Sequence, residues 1–124
     1  VITDLKEKVR ACAAVLADSR AINTTIIDLT AMGSWTDYFI VASATSSTHM
    51  RGLWRNLEEY TDQQDLAPLR KPSLVEDDDW CLIDFGDFLV HIMSDAAREF
   101  YDLESLWHEG VIERVEAKNP AEQA

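Results

Sequence analysis

The sequence predicts an α/β (α+β) fold: a single domain with one mixed sheet of about five strands, flanked by helices. Three observations lead there. Residues 80–93 read as two short strands joined at Gly86-Asp87. Helical and two-residue periodicities alternate along the chain in the order α-β-β-α-(β)-β-β-α. With 124 residues, 47% of them hydrophobic and 27% charged, the chain can bury one real core and is not of the disordered class. We assign residues 1–117 to the domain and 118–124 to a polar tail.

The first helix runs from Thr3 to about Ala17. Leu5, Val9, Cys12, Ala13 and Leu16 recur at helical spacing, and Thr3 or Asp4 supplies the cap. Thr24 to Leu29 is rich in β-branched residues and reads as a strand. Ala31 to Trp35 forms a connection, and Asp37 to Ser43 a second strand, apolar enough to be buried on both faces. Thr45 to Thr48 is a turn rich in capping residues. It opens a helix from Ser47 to Gln63 with Met50, Leu53, Trp54, Leu57 and Tyr60 as its apolar stripe. Pro68 and Pro72 restrict Leu66 to Leu74 to a short or edge strand. The strand, helix, strand order around Asp37 to Leu69 allows a parallel pair. After the hairpin, Ser94 or Asp95 caps a last helix with Ala96, Phe100, Leu103 and Trp107 as its stripe and Gly110 as its stop.

The hairpin has two unlike faces. Pairing outward from the turn sets Phe85 against Phe88, Ile83 against Val90 and Cys81 against Ile92, which makes an apolar core face. The other face carries Trp80, Leu82, Asp84, Leu89, His91 and Met93. An acid and an imidazole among aromatic and aliphatic groups suit a binding face better than water or a dry core.

The net charge of −12 argues against nucleic acid as the direct ligand, because phosphate binding needs Lys and Arg to displace counterions. A basic protein is the better partner for such a chain. From Pro72 to Ala97 there is no Lys or Arg, while Glu76, Asp77, Asp78, Asp79, Asp84, Asp87 and Asp95 all fall there. No apolar run approaches the roughly 20 residues of a membrane span, and no targeting segment is visible. The chain opens on Val1 rather than Met, which leaves room for residues before it. Cys12 and Cys81 read as small buried hydrophobes in a reducing cell; neither has a second Cys or His at zinc-ligand spacing.

Four constellations could carry chemistry. Gly33-Ser34-Trp35-Thr36-Asp37 has the Gly-Ser turn and one carboxylate of a nucleotidyltransferase, but Phe39 stands where the second carboxylate belongs. Thr45 to Thr48 could hold an anion at a helix start, yet it lacks the glycines and lysine of a phosphate loop, so capping explains it. Asp84-Phe85-Gly86 copies a kinase metal-binding triplet by letter only. His91 and Asp84 are diagonal neighbours on the mixed face, within reach of a side-chain contact. His49 and His108 complete no triad with them, and a structural hydrogen bond is the simpler role.

Four ordered blocks stand between about Ile26 and Trp107: Asp28-Leu29; Asp37-Tyr38-Phe39-Ile40-Val41-Ala42 with Ser46-Ser47; Trp80 to His91 with Asp84-x-Gly86-Asp87; and Arg98-x-Phe100-Tyr101-x-Leu103-Glu104-x-Leu106-Trp107. In these blocks the chain resembles the ribosomal silencing factor (Iojap) family. Ala44-Thr45 and Phe85 depart mildly from the family pattern. The resemblance implies a non-catalytic factor without cofactor or metal, with a nucleotidyltransferase-like topology that has lost its active site. It implies binding to the large ribosomal subunit through that subunit's fourteenth protein, blocked joining of the small subunit, and repressed translation under nutrient limitation. We expect a contact surface of Trp80, Leu82, Asp84 and His91 with Asp87 and Arg98 nearby, and a bacterial cytoplasmic rather than organellar setting. The alternative function is a small magnesium-dependent nucleotidyltransferase, and the alternative use of the mixed face is self-association as a homodimer.

Overall fold

The structure, a computed structural model, describes residues 4–69, 72–75, 79–106 and 111–117. Its centre is a parallel strand pair. β2 (Tyr38–Ala44) is buried at every position, and it pairs in parallel with β5 (Phe88–Ser94), where only the last residue is not buried. The near-continuous apolar sequence of both strands follows from this placement, since each face of the sheet is covered here.

The other elements extend from that pair. β1 (Ile22–Asp28) joins β2 antiparallel, and β4 (Trp80–Asp84) joins β5 antiparallel. β3 (Ser73–Val75) closes one edge against β4, and β6 (Val111–Arg114) closes the other against β1. The sheet order is β3-β4-β5-β2-β1-β6. α1 (Leu5–Asp18) and α2 (Ser47–Gln63) pack on one face, where Val9, Leu16, Leu53 and Leu57 meet Ile40, Ile83, Val90 and Ile92. The short helices α3 (Asp95–Tyr101) and α4 (Leu103–Leu106) lie on the other face, where Ala97 and Leu103 meet Ile27, Phe39, Val41, Leu89 and Met93. Among the described residues no helix is long and apolar enough to cross a membrane.

The mixed sheet flanked by helices, the α2 boundaries and the hairpin register match the sequence expectation. Ile83 pairs with Val90 and Cys81 with Ile92, and the Phe85 N–H donates to the Phe88 carbonyl at 3.0 Å. Gly86 takes φ +90° at the first turn position, as a two-residue turn of this hand requires. Cys12 and Cys81 are buried free thiols in the core beneath the two long helices, and burial pushes them up to about 12 and about 11.

Three expectations need correction. The parallel partner of β2 is β5, not the segment after α2, which has only a three-residue edge strand to offer. The last helix is not continuous. Asp102 adopts φ +45° and breaks it, and within α3 it is Ala97 and Tyr101 that face the sheet while Phe100 is 80% exposed. A sixth strand, Val111–Arg114, follows where the sequence reading placed nothing. Trp107, His108, Gly110, Glu76 to Asp78 and the tail 118–124 lie outside the described residues.

The turn glycine yields a test. A Cβ on Gly86 would sit 3.4 Å from Leu69 Cδ1, a tolerable contact, so the penalty for Gly86→Ala is conformational. We expect it to lower unfolding free energy by about 1–2 kcal/mol. Urea titration should show a lower midpoint with unchanged slope.

Candidate protein-docking site

The mixed face of the hairpin is built by alternation. β4 sends Trp80 and Leu82 to the α3 side of the sheet, and β5 sends Leu89, His91 and Met93 to the same side. The register sets Leu82 opposite His91 and Trp80 opposite Met93. α3 then lays Tyr101 against the Trp80 indole, with ring centroids 4.8 Å apart.

A polar contact lies within this apolar set. Trp80 Nε1–H donates to His91 Nδ1 at 3.1 Å, which assigns the ring proton of the neutral imidazole to Nε2. The His91 ring also meets Phe39 edge-on, with centroids at 4.6 Å. His91 is 4% exposed, its Nε2 has no hydrogen-bond partner among the described residues, and burial pushes its pKa down to about 4. It is therefore neutral at pH 7, and its proton-free nitrogen is already taken by the Trp80 indole. Phe100 stands over Tyr101 at 5.0 Å. An aromatic series thus runs from Phe39 through His91, Trp80 and Tyr101 to exposed Phe100.

The six residues expected at the contact surface divide into three groups. Trp80, Leu82 and His91 come together beneath α3. His91 is buried there with Leu89 and Met93, so much of the face is a second core rather than an open surface. Asp84 and Asp87 sit at the turn end of the hairpin. Asp84 Oδ1 accepts from the Gly86 N–H at 2.8 Å, a local turn bond that replaces the expected contact with His91. Asp87 is exposed, and its carbonyl accepts from the Asp37 N–H at 3.0 Å. Arg98 lies on α3, and its guanidinium turns inward to Ile22, Thr25, Ser43 and Glu104.

The remaining constellations are structural. The loop from Gly33 to Asp37 grips the hairpin turn, where the Thr36 hydroxyl donates to the Gly86 carbonyl at 3.2 Å. Phe39, at the position a second carboxylate would need, is buried in the core beneath α3. Ser46 caps α2 by accepting from the His49 N–H at 3.0 Å, and His49 Nδ1 accepts from the Thr45 N–H at 2.9 Å. Among the described residues no group of three or more His, Cys, Asp and Glu is placed to hold a metal ion.

Sequence reasoning missed the outward placement of Phe100 and the seat of Tyr101 on Trp80. The four-residue spacing of Ala97 and Tyr101 could have marked the buried stripe; the break at Asp102 had no such signal.

Comparison with known proteins agrees with this architecture. The family model described as "Ribosomal silencing factor during starvation" matches residues 2–124. A ribosomal silencing factor of Treponema pallidum is 35% identical over 105 residues, covering 84% of this chain and 93% of the relative. A mouse protein named for mitochondrial assembly of the ribosomal large subunit is 30% identical over 100 residues, covering 75% of this chain but 42% of the relative. A crystal structure of a Chromobacterium violaceum protein superposes with a TM-score of 0.78 at 24% identity, covering 96% of this chain and 99% of that one. The structural likeness establishes the fold.

The buried imidazole predicts a pH dependence. Above about pH 6.5 His91 is neutral in both folded and unfolded chains. As pH falls from there towards about 4, the unfolded chain takes up a proton that the folded chain refuses, so stability declines. The shift from 6.5 to about 4 corresponds to about 3 kcal/mol across that window. A folded His91→Gln variant should lack this component. Urea unfolding of both proteins at a series of pH values measures it as the difference between the two slopes.

Proposed function

We infer the role of this chain from one premise: it belongs to the ribosomal silencing factor family. Family membership supports a ribosome-associated silencing role. We propose the finer reading that it docks on the large subunit through the fourteenth protein of that subunit. By occupying that face it keeps the small subunit from joining and so lowers translation. It acts as a binding module in the bacterial cytoplasm rather than as an enzyme.

The observation that carries this reading is the aromatic ledge of Trp80, Tyr101 and Phe100. Trp80 is half-buried and held by His91 behind it, while Phe100 is 80% exposed. Aromatic side chains fixed from behind and open in front are the usual anchors of protein interfaces. Leu82 borders the ledge, with Asp84 and Asp87 further along the hairpin. The chain's net charge of −12 suits a basic ribosomal protein and speeds its docking. The same charge disfavours a direct grip on RNA. Phe39 in place of a second carboxylate, with its ring in the core, supports the binding reading over the nucleotidyltransferase one.

The test is sedimentation with isolated large subunits, with and without small subunits. We expect the chain to travel with large subunits and to reduce their joining. Trp80→Ala should weaken binding by about 2 kcal/mol, or about 30-fold. Binding confined to assembled ribosomes, or unchanged binding by a folded Trp80→Ala variant, would sink the reading.

A further inference from the structure

We propose that Arg98 is a positioning residue of the aromatic ledge: it sets where Tyr101 meets Trp80 and is not itself a partner contact. The proposal rests on the docking reading for its consequence, but its geometry belongs to the unbound chain.

All three guanidinium nitrogens are engaged within the fold. Nη1 donates to the Ile22 carbonyl at 3.2 Å and to Ser43 Oγ at 3.1 Å. Nη2 donates to Thr25 Oγ1 at 3.1 Å, and Nε and Nη2 face the Glu104 carboxylate at 3.4 and 3.5 Å. The Arg98 side chain is 10% exposed, which leaves little of it for a partner.

These contacts fall where they can control Tyr101. The β1 register slips between Ile22 and Thr25, with Asn23 at φ +52°, and Arg98 holds the chain on both sides of that slip. It also spans the left-handed residue Asp102 to reach Glu104 on α4, so it pins the corner between the two short helices. Tyr101 is the last residue of α3, one turn beyond Arg98. A seven-residue helix has no stable placement of its own, so what fixes it to the sheet fixes the ring it carries. An arginine is suited to this because its planar fork reaches several acceptors from one rigid group.

The full chain tests this in two ways. The Trp80 indole N–H, bonded to His91, is followed by proton–nitrogen NMR in the unbound protein and identified with Trp80→Phe. Arg98→Gln should move that resonance and speed its solvent exchange, while Leu57→Ala, which destabilises the opposite core, should leave it in place. Arg98→Gln should also weaken binding to isolated large subunits about tenfold. In a Tyr101→Ala background it should add less than about twofold, because both changes remove the same ring placement. An unmoved indole resonance in a folded Arg98→Gln variant overturns the proposal, as does a binding loss fully additive with Tyr101→Ala. If Arg98→Gln does not fold, Glu104→Gln removes one side of the clamp and is read by the same criteria. If the wild-type chain binds no large subunits, the docking reading fails, and the indole resonance alone decides whether Arg98 places Tyr101.

Discussion

The structure depends on one seam, the parallel hydrogen-bonded pairing of β2 with β5. Both strands lie under side chains on both faces, so their backbone groups have no water to turn to. They must be satisfied by each other and by the antiparallel neighbours β1 and β4. That requirement orders everything else. A parallel pair cannot be joined by a tight turn, so α2 must cross over one face before the chain returns through the β4–β5 hairpin. The second face is then left for whatever follows β5, and α3 and α4 fill it.

The proposed docking ledge is the outer margin of that second, smaller core. Its inner side is apolar except for His91, whose imidazole has one nitrogen bonded to Trp80 and the other buried without a partner among the described residues. Burying such a group opposes folding. In return, the hydrogen bond gives the Trp80 indole a defined orientation. On its outer side the ledge ends in Phe100, an aromatic group left exposed. The face is therefore a core behind and a surface in front, which is why its mixed composition looks ambiguous in the sequence.

Local patterns carried the legible part of the fold. The period-two alternation of residues 80–93 and the demands of Gly86 gave the hairpin register residue by residue. The capping serines gave the start of α2 and of α3, where Ser46 and Ser94 accept the expected N–H bonds. What could not be read was long-range. Alternation puts His91 on a face with Trp80 but does not say that α3 returns to cover it. The choice of β5 over the post-α2 segment as the parallel partner depends on burial across the whole sheet. The break at Asp102 ends α3 after seven residues, and a left-handed aspartate has no distinctive sequence context here. Arg98 belongs to the same class. The sequence reading placed it near the contact surface, and only the assembled sheet brings Ile22, Thr25 and Ser43 to its side chain.

The central seam also bears on how the chain reaches this state. Local hairpins close within microseconds, whereas pairings between distant segments wait on the closure of long loops. The β4–β5 hairpin is local, but β2 meets it across a long separation: Thr36 and Gly86, in contact at the seam's end, are 50 positions apart. Until β2 arrives, β5 presents an open edge of Phe88-Leu89-Val90-His91-Ile92-Met93, uncharged near neutrality and rich in β-formers, the composition most prone to pairing with another molecule. Asp84 and Asp87 stand before that segment and Asp95 after it, with no cation between Pro72 and Ala97. Charges in those flanking positions act as gatekeepers: repulsion between two such hairpins keeps each edge available for its own chain.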